Sequence, residues 1–356
     1  MEILFMERIE RMKTDFIPKC RATGIGSLPH TEAKEACELV LQTLPEIPFW
    51  PQLPKRSARE NMYWQYSENL PGLGFEGDRM FIHTPEDFSA IEKFYEHFLS
   101  EDLDYFSISQ AHAEGFYQLE EYSSRIQKAW ALKGQITGPI SFTLQVTDEN
   151  RRPLLYNDEL KDMAIKNLVA KANWQKGILR AMNPRVIIFL DEPYLSAFGS
   201  AFTSLSREQA IEALEEVLGG IDAITGIHCC GNTDWSLLLE TSVDILSFDA
   251  YEHASNVFLY ESQLKKYLEA GGTIAWGIVP TDEQLLKAVA VKDLWEKLEK
   301  IWLDLAGRGV DLAQIASASL ITPACGLGTV HKDMAARALT LAGDLSQMLR
   351  EKYQLA

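Results

Sequence analysis

Short apolar runs, each about the length of a strand, alternate along most of this chain with longer stretches of helical periodicity. The run Val186-Ile187-Ile188-Phe189-Leu190 is apolar at every position and rich in β-branched residues. A strand with one face in water alternates polar and apolar residues; a strand covered on both faces does not. Comparable runs lie at 22–27, 48–52, 105–109, 132–137, 186–191, 224–230, 245–249, 273–278 and 315–321. Between them, Asn157 is placed to cap a helix in which Leu160, Met163, Leu168 and Ala172 share a face, ending before Asn183-Pro184. Ser206 and Gln209 form a capping-box pair ahead of Ile211, Leu214 and Val217. Residues 283–306 and 332–353 read as further helices.

Strand–helix alternation of this kind implies right-handed βαβ units and a parallel sheet. The stretch from Gln52 to Leu132 is too long for one loop, so 105–109 is assigned to an excursion between the second and third strands. Eight strands remain. The expected architecture is a single α/β domain, a (β/α)8 TIM barrel over residues 21–356, preceded by an N-terminal extension over 1–20. No internal repeat, low-complexity tract or linker-like segment divides it.

Charge narrows the function. The 356 residues carry 34 Lys and Arg against 51 Asp and Glu, a formal charge of −17. Binders of nucleic acid or of anionic membranes need the opposite sign, so neither partner is expected. The first sixteen residues alternate apolar and charged positions without a signal-peptide core, and no run reaches the 18 or so apolar residues of a membrane span. A cytoplasmic protein is expected. Its five cysteines are an odd number in a long chain, which argues against a disulfide framework.

Barrels of this class gather ligands at the C-terminal ends of their strands. The residues there are Ser27, Gln52, Thr137, Asp191, Glu192, His228, Cys229, Cys230, Asp249 and Cys325. His228 and Cys230 are two apart on a strand and leave the same face, whereas Cys229 points away. Cys325 follows the last strand in TPACGLGT, and Asp249 closes the strand between, with Glu252 three residues on. Two thiolates, an imidazole and a carboxylate satisfy tetrahedral zinc. The spacing alone leaves ordinary packing of these side chains open, since free cysteine is among the most buried residue types.

At these residues the chain resembles the catalytic barrel of cobalamin-independent methionine synthase, whose superfamily includes uroporphyrinogen decarboxylase and zinc-dependent methylcorrinoid:thiol methyltransferases. The matching segments, in the family's order, are TGIGSLPH (23–30), LKGQITGP (132–139), IIFLDEP (187–193), IHCCG (227–231), VDILSFDAY (243–251) and TPACGLGT (322–329). The resemblance implies Zn2+ as cofactor, held by His228, Cys230 and Cys325, with the fourth ligand, a glutamate in the family, falling on Asp249. Aspartate is one methylene shorter, so either the strand moves inward, Glu252 substitutes, or water fills the position. It also implies that Asp191 holds the amino group of an amino-acid thiol and Ser27 its carboxylate. Glu192 is grouped with them as a substrate-site residue, with support of Asp191 as the other reading.

The chain departs from the family twice. After strand two it reads PQLP (51–54), without the family's acidic residue, and after strand seven AWGIVPTD (275–282), without the family's histidine. A methylfolate leaves poorly unless its nitrogen is protonated, whereas a methylcorrinoid needs no such proton. The expected activity is therefore zinc-dependent methyl transfer to a thiol, homocysteine giving methionine, from a methylcorrinoid or a corrinoid protein rather than methyltetrahydrofolate. A uroporphyrinogen-decarboxylase-like enzyme, a methyltransferase for another thiol, and a zinc-dependent binding protein without turnover are the alternatives. Tyr63, Trp64, Tyr66 and Trp276 are read either as a cover for a flat donor or as ordinary core aromatics, and His30 either as a site residue or as a helix-start residue.

Overall fold

A strand apolar at every position must be covered on both faces, and Val186–Asp191 is buried along its whole length. The structure, a computed structural model, describes residues 16–77, 79–84, 89–199 and 204–355. Most of the expected N-terminal extension thus lies outside the described residues. The strands are β1 (Arg21–Ala22), β2 (Leu73–Glu76), β3 (Arg79–Ile82), β4 (Leu132–Thr137), β5 (Thr147–Asp148), β6 (Val186–Asp191), β7 (Ile224–Cys229), β8 (Ile245–Phe248), β9 (Thr273–Val279) and β10 (Ser319–Pro323). Among the described residues seven of them form one curled parallel sheet, in the order β1-β10-β9-β8-β7-β6-β4. Ile187, Phe189, Ile245, Ala275 and Leu320 share one apolar cluster on its inner face. The larger core lies between the sheet and its helices.

Several helices start where their caps lie in the sequence. Asn157 accepts hydrogen bonds from the N–H groups of Glu159 and Leu160 to begin Asp158–Met182. Ser206 and Gln209 form a reciprocal capping box ahead of Arg207–Gly220. The stretch expected as one helix over 283–306 is two, Glu283–Ala288 and Val291–Gly307, because Ala290 is extended and its N–H is taken by the Asp293 carboxylate. No helix among the described residues is long and apolar enough to cross a membrane.

Four strand expectations change. Only Ala22 of the 22–27 run joins the ladder, together with Arg21 before it, because Gly24 lies directly against the Phe49 ring and Thr23 turns its hydroxyl to the Ile47 carbonyl. The 48–52 run makes single parallel bridges instead of a ladder, Phe49 to Lys133 on one side and Gln52 to Ser27 on the other. Pro48 and Pro51 lack the N–H groups that a full ladder needs. Tyr105 and Phe106 belong to a single 3₁₀ turn, Leu103–Phe106, packed on Phe94. Ile315 falls in a short helix, Leu312–Ser317, capped by Asp311, which leaves the strand to begin at Ser319.

The long stretch between Gln52 and Leu132 holds an antiparallel hairpin, β2–β3, that the apolar pattern did not reveal. Buried polar groups fasten this stretch to the sheet and to Asp158–Met182. Tyr66 donates its hydroxyl to the Gln135 carbonyl at 2.6 Å, and the Asn167 amide donates to the Tyr66 carbonyl at 2.7 Å. The fully buried Lys171 ammonium donates to the carbonyls of Phe106 and Ser107 at 3.3 and 3.4 Å. Burial pushes this ammonium down to about 7, against the pull of Glu68. An unfolded lysine keeps its proton to about pH 10.4, so between the two values the unfolded chain binds the extra proton and folding gains as pH rises. Chemical denaturation should therefore show wild type gaining more than about 1 kcal/mol relative to Lys171→Met between pH 7 and 9.5. A pH-independent difference between the two would count against this placement of the charge.

Candidate metal centre and acceptor site

Pleating decides which end of β7 faces inward. Gly226 and His228 share a face, and Cys230, just past the strand, continues it. Cys229 turns the other way into the core, where burial pushes its thiol up to about 12. β10 ends at Pro323, and the chain turns to bring Cys325 back over the same opening. The imidazole of His228 and the thiols of Cys230 and Cys325 lie with their ligand atoms all within 4.8 Å of one another. The Cys325 thiol and the His228 ring pull the Cys230 thiol down, and Cys230 in turn raises Cys325. Two sulfurs and a ring nitrogen converging in this way are the ligand types that a divalent cation such as zinc takes.

His228 is buried, and its Nδ1 lies 3.0 Å from the Ser247 hydroxyl. With the proton on Nδ1 donated to Ser247, the lone pair sits on Nε2, a buried atom with no partner among the described residues. Imidazole ligands are held this way by a partner on the far nitrogen. Ser247 escaped the sequence reading, although it is the residue paired with His228 across β7 and β8.

Asp249, the expected fourth ligand, is not brought to this group. Its carboxylate caps the helix Ala250–Val257 by accepting the Glu252 N–H at 3.0 Å. With Glu252 and His253 it forms a separate cluster, so neither Asp249 nor Glu252 stands with the two thiols. The Lys297 ammonium lies close enough to Asp249 and Glu252 to feel their charge.

Asp191 ends β6 opposite His228 on β7. Its Oδ1 is buried and has no partner among the described residues. Burial pushes this carboxyl up to about 6, against the pull of Lys133 and His228. Lys133 is a further residue that the sequence reading passed over, a fully buried lysine inside β4. Its ammonium donates to the Ile25 carbonyl and to Gln135 Oε1, and lies 4.5 Å from the centre of the Phe189 ring. A lysine in an otherwise buried strand was the available signal.

Ser27 stands beside the Cys325 loop. Its hydroxyl accepts the Gly328 N–H at 3.2 Å, and its carbonyl accepts the Leu327 N–H at 2.9 Å. A Cβ on Gly326 would fall 2.4 Å from the Ser27 hydroxyl, so the loop closes on Ser27 only because that residue is glycine. Gln52, in place of a carboxylate, donates its amide to Gln65 Oε1 at 2.7 Å. Trp276 is a core residue, packed edge-on against Phe248 and tilted against Trp302, with its indole N–H on Ser319. Tyr63 differs: its half-buried phenol packs on the core and is raised by burial and by nearby Tyr194, Glu192, Asp191 and Cys230, so it lies near the candidate site. Trp64 packs on Phe75, and Tyr66 is buried. His30 is buried with Nδ1 unpartnered among the described residues, beside Lys332 and Glu35.

Glu192, read as a substrate-site residue, has no exposed surface. Its carboxylate accepts the N–H groups of Ile140 and Ser141 at 2.9 and 2.8 Å and the Ser141 hydroxyl at 2.6 Å. Its acid is pushed up to about 7 by burial, against those three donors. The residue thereby ties the start of the helix Pro139–Gln145 to the end of β6, next to Asp191. Glu192→Ala leaves three buried donors unpaired, and denaturant unfolding should show a loss of about 3 kcal/mol. A loss under 1 kcal/mol would reject this anchoring role.

No family model and no curated protein matches the chain. Solved structures do. The B12-independent methionine synthase from Shewanella sp. W3-18-1, in complex with selenomethionine, aligns with a TM-score of 0.58 and 16% identity, over 94% of this chain and 99% of that one. A methyltransferase from Methanosarcina mazei aligns with a TM-score of 0.55 and 13% identity, over 96% and 98%. At these identities the likeness is one of fold, and it runs the length of both chains: the protein shares the fold of these two enzymes.

Proposed function

We propose that this chain is a zinc-dependent methyltransferase that moves a methyl group to a small-molecule thiol, homocysteine first among them. The observation that carries the reading is the convergence of Cys230, Cys325 and the unpartnered Nε2 of His228. Three protein ligands leave a tetrahedral ion one exchangeable position, the pattern of catalytic zinc. The same convergence has no use in a decarboxylase of this fold, which is why methyl transfer is preferred. We read the 48–52 segment, bridged to Ser27 and to Lys133, as the element that closes the curled sheet into the expected eight-stranded barrel.

His228, Cys230 and Cys325 would hold the zinc. Bound zinc supplies a thiol that is deprotonated at neutral pH yet still nucleophilic. Ser247 keeps the imidazole turned with Nε2 inward. Asp191, with a free buried oxygen, takes the ammonium of the acceptor, and Ser27 its carboxylate. Glu192 takes no part in binding and fixes the strand end that carries Asp191. Tyr63, near Asp191 and Cys230, is our candidate for a side chain that limits water at the site. With the acceptor so held, its sulfur forms a bond to the methyl carbon as the bond to the donor breaks, and that electron pair stays with the donor. Such an in-line transfer depends chiefly on placement.

Two observations pull the donor in different directions. Residues 275–282 hold no histidine, and Asp282 there is occupied in accepting the N–H groups of Gln284 and Leu285. Without a ready acid the proposed donor is a methylcorrinoid or a corrinoid protein, which leaves without a proton. The second reading, methyltetrahydrofolate, draws on the fold neighbour titled B12-independent.

Purified protein should carry about one zinc per chain, and Cys230→Ser or Cys325→Ser should strip most of it while Cys229→Ser does not. Full zinc in both of the first two variants would reject the site. A single-turnover assay offering both donors to zinc-loaded protein and homocysteine should give methionine from the methylcorrinoid, with the folate slower by about 10²-fold or more. Faster transfer from the folate establishes the second reading, and no transfer from either rejects methyl transfer to homocysteine.

A further inference from the structure

Buried polar side chains are nearly always paired, so an exception beside a candidate site is a place where a partner can arrive from outside. Three of the unpartnered buried atoms among the described residues lie at the C-terminal ends of parallel strands: Asp191 Oδ1 on β6, His228 Nε2 on β7 and Thr322 Oγ1 on β10. The first two are accounted for by the acceptor's ammonium and the metal. Thr322 is not. It has no exposed surface, and it lies two residues beyond Leu320, whose side chain belongs to the inner-face cluster, so the pleat turns Thr322 inward too. Its cross-strand neighbour on β9 is Gly277, which offers no side chain to pair with.

We propose that the Thr322 hydroxyl is an additional binding group for the acceptor, donating a hydrogen bond to its carboxylate. This rests on the acceptor reading given above and adds a residue to it. The choice of the carboxylate follows from position. β10 stands four places from β6 in the sheet, so Thr322 and Asp191 lie on well-separated strands of the same curled sheet. It leads directly into the loop whose Leu327 and Gly328 N–H groups hold Ser27. The hydroxyls of Ser27 and Thr322 together, and the Asp191 carboxylate apart from them, match the two ends of an amino-acid zwitterion.

Thr322→Val keeps the shape and removes the hydroxyl. Calorimetric titration of zinc-loaded protein should show homocysteine binding about tenfold more weakly to this variant than to wild type. The affinity for 3-mercaptopropylamine, which lacks the carboxylate, should be unchanged, and Thr322→Ser should restore homocysteine binding. Because the lost hydroxyl has no partner among the described residues, the valine variant should melt at or above the wild-type temperature. Equal affinity of wild type and valine variant for homocysteine overturns the proposal, as does an equal loss for both thiols, which marks a structural role. If wild type binds neither thiol, the acceptor reading itself fails and takes this residue with it.

Discussion

Everything at the candidate site depends on the fixed alternation of a parallel sheet. Side chains on neighbouring strands in register must leave the same face, so Asp191, His228 and Ser247 arrive together without any loop having to find them. That constraint also explains why two adjacent cysteines behave so differently. Cys230 reaches the opening, and Cys229, one peptide away, is locked into the core as an inert thiol.

What the sheet cannot supply comes from buried charge. Lys133, Asp191 and Glu192 are each removed from water, and each is compensated differently. Glu192 is met by three donors of one helix start, Lys133 by a backbone carbonyl and a side-chain amide, and Asp191 by the field of Lys133 while one oxygen stays free. Breaking a compensated buried charge costs several kcal/mol, so the first two are anchors. The carboxylate left with an unpartnered oxygen among the described residues is the one proposed to bind the acceptor.

The sequence made the periodic parts legible: the continuous strand at Val186–Asp191, the caps at Asn157 and Ser206, and the opposed faces of Cys229 and Cys230. It misled where a local rule beat the apolar pattern. Pro48 and Pro51 break the ladder of an apolar run, and Asp311 turns the start of another run into a helix. At the site, residue type was readable but its use was not. Asp249 is a carboxylate at the expected strand end, yet the helix that starts there takes it as a cap. Ser247 and Thr322 have nothing unusual in their immediate neighbours in sequence, and Lys133 shows only as a charge within a strand. Their meaning comes from register with strands that lie elsewhere in the chain.

The contact between Ser27 and Gly328 joins groups 301 positions apart in the chain. Contacts of such separation are made late, because the loop they close must first be brought together at an entropic cost. During synthesis the wall that holds Ser27 therefore stays incomplete until the Cys325–Gly328 loop has emerged and docked. The ligand Cys325 arrives with that same loop. A partly made chain accordingly presents neither a finished metal centre nor a finished acceptor wall, and the nucleophilic sulfur chemistry proposed here switches on only with the last strand in place.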